Sequence, residues 1–162
     1  MEEYGIDGVF LQRFGVSVKE SRRLNHCNVV TSNVQAGANL HRRTWVVMYD
    51  LSGMQPGAIE KRVMEDWKLL VDRMKIREDQ AYLHHEGKPV VAVWGVGFSD
   101  GRKYSLEECE HLVQSLKEDP EYGENTVKIG LSTHWRTLAR DAVADKKLHG
   151  IVPLQTSLVH GQ

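Results

Sequence analysis

The chain has 162 residues, 41% of them apolar and 27% charged, and 21 Lys and Arg against 22 Asp and Glu leave a formal net charge of −1. This composition excludes a disordered, collagenous or disulfide-scaffold chain, and the lack of a basic excess argues against a general nucleic-acid binder. No apolar stretch approaches the ~20 residues that span a bilayer, and the acidic start Met1-Glu2-Glu3 lacks the layout of a secretory signal.

Five short apolar runs occur in order, at residues 8–12, 44–50, 89–95, 126–130 and 150–153. They are rich in β-branched and aromatic residues, and the longer ones show no polar alternation, as expected of strands buried on both faces. Helical patterns fill the gaps. Ser17 and Glu20 have capping-box spacing, which predicts a helix running to about Ala36. Ile59, Val63, Trp67, Leu70 and Met74 form one apolar stripe at helical spacing. Ser105 and Glu108 have capping-box spacing too, ahead of Leu106, Cys109, Leu112, Val113 and Leu116. A shorter helix is expected near residues 136–144. The alternation β-α-β-α-β-α-β-α-β predicts an α/β fold with parallel strands joined by crossover helices.

Two architectures fit that order. A doubly wound open sheet of five strands suits the length. A (β/α)8 barrel needs about 250 residues, so this chain would hold about five βα units of one. The residues at the strand ends favour the barrel.

In either fold, ligands bind at the carboxyl ends of parallel strands. Those ends carry Gln12 and Arg13, then Tyr49, Asp50 and Ser52, then Trp94 and Phe98, then His134 and Trp135. Aromatic rings beside amides, hydroxyls and a carboxylate suit a sugar, whose apolar face stacks while its hydroxyls take directional hydrogen bonds. Trp94 and Trp135 could equally cap the core beneath the loops. Asp50 has two readings as well: a ligand-binding or catalytic carboxylate, its pKa raised by burial or lowered by Arg13, or an acid bonded to its own loop.

Other motifs carry less. Gly95, Gly97 and Gly101 are spaced G-x-G-x-x-x-G, one residue too long for a dinucleotide fingerprint, and three residues separate them from the helix cap at Ser105. His84 and His85 are adjacent and there is no HExxH, so no metal site is expected. There is no nucleophile elbow and no Walker loop, and no cofactor is expected. Cys27 and Cys109 form no CxxC; a single disulfide between them stays open, and reduced, half-buried thiols are the simpler reading.

Several segments together resemble the glycoside hydrolase family 71/99-like group, which includes endo-α-mannosidase relatives and proteins labelled xylosidase or arabinosidase. They are residues 7–14, Tyr49 to Gly53, the Asp66-Trp67 pair, residues 82–98 and residues 130–135. The resemblance extends to about residue 145. It implies a (β/α)8 barrel, a polysaccharide or glycan as substrate, retaining glycosidase chemistry in characterised members and a location outside the cytoplasm. Members carry an extra strand before the one at Gly8, and their acids lie mainly on later strands.

The expectation is therefore residues 1–154 as a partial barrel, strands two to six of eight, with residues 155–162 an atypical tail. Gln12, Arg13, Tyr49, Asp50, Trp94 and Trp135 would line the cleft, with Asp50 as the catalytic candidate. Glycoside hydrolysis takes two carboxylates, and one carboxylate is not a mechanism. The rivals are a non-catalytic carbohydrate-binding protein and a small α/β domain holding a phosphorylated ligand near Gly97. Carbohydrate is the expected partner, and open barrel edges are expected to self-associate.

Overall fold

The computed structural model describes residues 2–98, 101–131 and 152–153. Its elements are β1 (Gly8–Phe14), α1 (Ser21–His41), β2 (Thr44–Asp50), α2 (Ile59–Met74), β3 (His84–His85), β4 (Lys88–Val96), α3 (Leu106–Glu118), β5 (Thr126–Leu131) and β6 (Val152–Pro153). The main sheet runs β1-β2-β4-β5-β6, and every pairing along it is parallel. Neighbours in the sheet follow chain order, without the reversal that marks a doubly wound sheet. The fold is mixed α/β with a parallel sheet, and the described strands do not close on themselves.

The sequence patterns account for most of these elements. The apolar stripe of α2 is buried at Ile59, Val63, Trp67 and Leu70, and Lys75 closes the helix in the left-handed region, its N–H on the Leu70 carbonyl. At the start of α3 the capping box forms: Ser105 Oγ accepts from the Glu108 N–H at 3.2 Å, and Glu108 Oε2 accepts from the Ser105 N–H at 2.9 Å. Tyr49, Val91, Val93, Val127 and Ile129 line the sheet side of the core.

Two expectations about α1 need correction. Ser17 opens a single 3-10 turn, Ser17–Lys19, and caps nothing; α1 begins at Ser21 after Glu20, which is extended at φ −93° and ψ 124°. An extended Glu20 breaks the run that a capping box would have started. The helix also passes Ala36 and ends at His41. Gly37 costs about 1 kcal/mol there, yet the helix continues through it, with Thr31 and Ala38 buried before and after. Ahead of β4, His84 and His85 form a hairpin strand antiparallel to it, with Glu86 and Gly87 at φ 52° and 77° in the two-residue turn. The helix expected near residues 136–144 lies outside the described residues.

All three helices share one face of the sheet. Arg13 of β1 and Tyr49 of β2 reach Asp66 on α2, Arg13 also reaches Asn28 and Thr31 on α1, and α3 lies beside α2 through Ser115 and Glu60. No helix among the described residues is long and apolar enough to cross a membrane.

Candidate functional site

Strand alternation decides what each residue can do. The register pairs Gln12 with Met48, Met48 with Ala92, and Ala92 with Lys128; the next rung toward the carboxyl ends is Phe14, Asp50, Trp94 and Gly130. Paired residues share a face, so these two rungs lie on the side away from the helices. Arg13 and Tyr49, one residue off, lie on the helix side.

Gln12 and Asp50 come together. Gln12 Nε2 donates to Asp50 Oδ2 at 2.5 Å, and the Ser52 N–H donates to Oδ1 at 2.8 Å. Asp50 is 4% exposed while Gln12 is open to solvent. The carboxylate thus has one oxygen held by the loop and the other by an amide that solvent or a ligand can reach. The expected influence of Arg13 on Asp50 is overturned, because the guanidinium points to the opposite face.

Trp94 stands between Asp50 and Gly130 in the register. It meets Phe98 edge-on, with ring centroids 5.2 Å apart. Just after Trp94 the strand carries a bulge: pairing skips Gly95, which sits at φ 105°. Bulges re-aim neighbouring side chains at the ends of sheets. Trp135 and His134 lie outside the described residues.

Arg13 and Tyr49 belong elsewhere. Arg13 Nε and Nη2 donate to the two oxygens of Asp66 at 2.9 and 2.5 Å, and Tyr49 Oη donates to Oδ2 at 2.8 Å. Thr31 Oγ1 and Asn28 Oδ1 take further guanidinium protons at 2.8 and 3.0 Å. Burial opposes the charge on Arg13, yet the hydrogen bond and charge of Asp66 outweigh it and raise its pKa. Burial and the same carboxylate push the Tyr49 phenol far up, so it stays a neutral donor. Both expected cleft residues are internal braces between sheet and helices. Asp66 could have been found from the sequence: it falls inside the buried stripe of α2, and an acid on a core face needs a partner.

A second polar group at the carboxyl ends was missed. Arg102 lies over the Phe98 ring at 4.6 Å, and its Nη1 donates to Tyr104 Oη at 2.6 Å; Tyr104 Oη in turn donates to the Gly95 carbonyl at 2.8 Å. A Cβ at Gly95 would collide with Arg102 Nη1. Nothing in the local sequence marks this arginine, since its partners come from the bulge. Among the described residues no cluster of His, Cys, Asp and Glu could hold a metal ion.

The chain matches no protein-family model, no curated protein and no solved structure.

Proposed function

We propose that the chain is part of a (β/α)8 barrel of the glycoside-hydrolase type and that its helix-free face binds carbohydrate. The observation that carries this reading is the Gln12–Asp50 hydrogen bond, in register with Trp94 at the carboxyl ends of parallel strands. An apolar ring beside an amide and a carboxylate offers a sugar both a stacking surface and paired hydrogen bonds. Sequential strand order with the helices on one face supports the barrel, because such a sheet curls toward its uncovered side. Strands two to six of eight would supply this part of the wall.

One observation favours a non-catalytic variant of the same reading. On the helix-free face of β1, β2, β4 and β5, Asp50 is the one carboxylate among the described residues. Hydrolysis takes an acid and a second carboxylate. Binding without turnover needs Asp50 alone.

The test is titration of the 162-residue chain with neutral oligosaccharides, followed by tryptophan fluorescence, alongside an assay on aryl glycosides. Saturable binding is expected, weakened about tenfold by Trp94→Ala, the equivalent of about 1.4 kcal/mol. Gln12→Ala, at an exposed position, should weaken it without touching the core. Turnover lost in Asp50→Asn would establish the hydrolase, and binding without turnover the lectin-like form. If no saccharide binds, the reading is discarded.

A further inference from the structure

The exposed apolar side chains gather at one edge of the sheet. Among the described residues, five of the eight large apolar side chains that are exposed belong to Tyr4, Ile6, Val9, Phe10 and Phe14, on or just before β1. Within the main sheet as described, β1 pairs with β2 alone. The Thr44 N–H bonds the Asp7 carbonyl and the Gly15 N–H bonds the Asp50 carbonyl, so the odd-numbered residues turn their backbone groups toward β2. Gly8, Phe10, Gln12 and Phe14 turn theirs outward. On the helix side the same edge opens on a cavity of about 800 Å³, between Val9 and the α1 residues Val34, Gly37 and Ala38. Sheet edges are ordinarily guarded by lysine, proline, a bulge or an inward charge. β1 has no lysine or proline, pairs with β2 in unbroken register, and buries its one charge, Arg13, against Asp66.

The strand is also complementary to itself. In Phe10-Leu11-Gln12-Arg13-Phe14 a phenylalanine stands two positions to either side of Gln12, so the spacing reads alike in both directions. Alternation puts these three residues on the helix-free face. An antiparallel pair with its two-fold axis at Gln12 sets each Phe10 opposite Phe14 of the second copy, and Gln12 opposite Gln12. All three have outward backbone groups, so each pair exchanges both of its N–H···O bonds. Directly opposed aromatic rings stabilise a strand pair, and this register makes two such contacts. The next register in either direction sets Phe10 or Phe14 opposite Gln12 and makes no aromatic pair. An axis normal to the sheet keeps both helix-free faces on one side.

We propose that a second copy of this chain docks on the β1 edge in this register, and that the pair joins two Gln12–Asp50 sites into one row. Each Gln12 donates to its own Asp50. Across the seam the order is therefore Asp50, Gln12, Gln12, Asp50, flanked by the two phenylalanine pairs. The same patch meets itself, which is the condition for a closed two-fold dimer. The docking stands on the edge alone; that a saccharide uses the joined row rests on the carbohydrate reading.

The experiment begins with sedimentation equilibrium of the 162-residue chain. A monomer–dimer equilibrium is expected, weakened about tenfold by Phe10→Thr or by Phe14→Thr. The double variant should lose little more than either one, because each change alone removes both aromatic pairs. Register is read by cysteine trapping with diamide, with the wild type as control for Cys27 and Cys109. Gln12→Cys brings two thiols to the axis, their Cα atoms about 5.5 Å apart and within disulfide reach, and should cross-link. Phe10→Cys alone should not, whereas Phe10→Cys mixed with Phe14→Cys should. A wild type that stays monomeric, phenylalanine losses that add, or Phe10→Cys trapped as fast as Gln12→Cys overturns the proposal. The sedimentation is then repeated with the neutral oligosaccharide that binds and with its monosaccharide; the first should tighten the dimer about tenfold and the second should not. Oligosaccharide bound to a chain that stays monomeric overturns the docking and leaves the carbohydrate reading intact. A dimer that tightens with no ligand overturns the joined row, and a dimer that binds no saccharide upholds the docking while the carbohydrate reading falls.

Discussion

The two faces of the sheet carry similar residue types and put them to opposite use. On the helix side, Arg13, Tyr49, Asp66, Thr31 and Asn28 satisfy one another in a closed network, with both charged partners buried. On the other side, Asp50 is tied to an exposed amide and stands beside a half-buried indole. Closed networks brace a fold because every donor already has its acceptor. The open side keeps groups that a ligand can engage without first breaking the core. Polarity at a strand end therefore says little about function until its face is known.

The largest expected effect separates the faces by stability. Asp66→Ala strands the Arg13 guanidinium in the interior and should cost about 3–5 kcal/mol. Tyr49→Phe removes one hydrogen bond to a charged acceptor and should cost about 1.5–3 kcal/mol. Asp50→Asn keeps an acceptor for the Ser52 N–H and should cost less than about 1 kcal/mol. Urea denaturation measures all three, and an Asp50→Asn loss as large as that of Asp66→Ala would erase the distinction.

A middle-sized effect concerns the edge of the open face. The Asp7 carbonyl and the Gly15 N–H both bond toward β2, so the alternate residues Gly8, Phe10, Gln12 and Phe14 direct their backbone groups outward. Phe10 and Phe14 are 47% and 42% exposed on the helix-free side. Such an edge templates pairing with another chain. The protein should sediment with concentration-dependent mass, and Phe10→Lys should shift it toward the monomer. A wild-type monomer at all concentrations would remove the edge from the comparison.

The smallest effect lies at the loops near the mouth. Ser105→Ala should cost about 1 kcal/mol, whereas Ser17→Ala should stay within about 0.5 kcal/mol because that serine caps no helix. Glu108 accepts from the N–H groups of Ser105 and Gly57, and these bonds hold its pKa below the ordinary carboxylate value. A carboxylate depressed in the folded state stabilises above its unfolded pKa, and that contribution is lost as pH falls through the folded one. Acid titration of thermal stability should therefore flatten at its low-pH limb in Glu108→Gln. An unchanged limb would show that the charge on Glu108 adds nothing to its bonds with Ser105 and Gly57.

How far the sequence could be read follows from which signals are local. The stripe of α2 and the Ser105 box are patterns within one segment, and both formed. Ser17 has the same spacing as Ser105, yet it opens a 3-10 turn and Glu20 after it is extended, so the spacing alone does not make the box. At the site, Asp50, Gln12 and Trp94 were legible as strand-end chemistry. Arg102 was not, since a bulge, a tyrosine and a bare glycine position it. Arg13 and Tyr49 misled for a single reason: the register that turns them inward depends on strand pairing.

Composition and periodicity alone determined the α/β class, the parallel strands, most helix positions and the presence of polar groups at strand ends. These follow from local repeats of hydrophobicity, which are properties of the chain itself. Tertiary structure decided that the strands lie in sequential order, that Asp66 claims Arg13, and that Asp50 faces the uncovered side. A strand shows its alternate residues to opposite faces, and only its neighbours decide which face the helices cover.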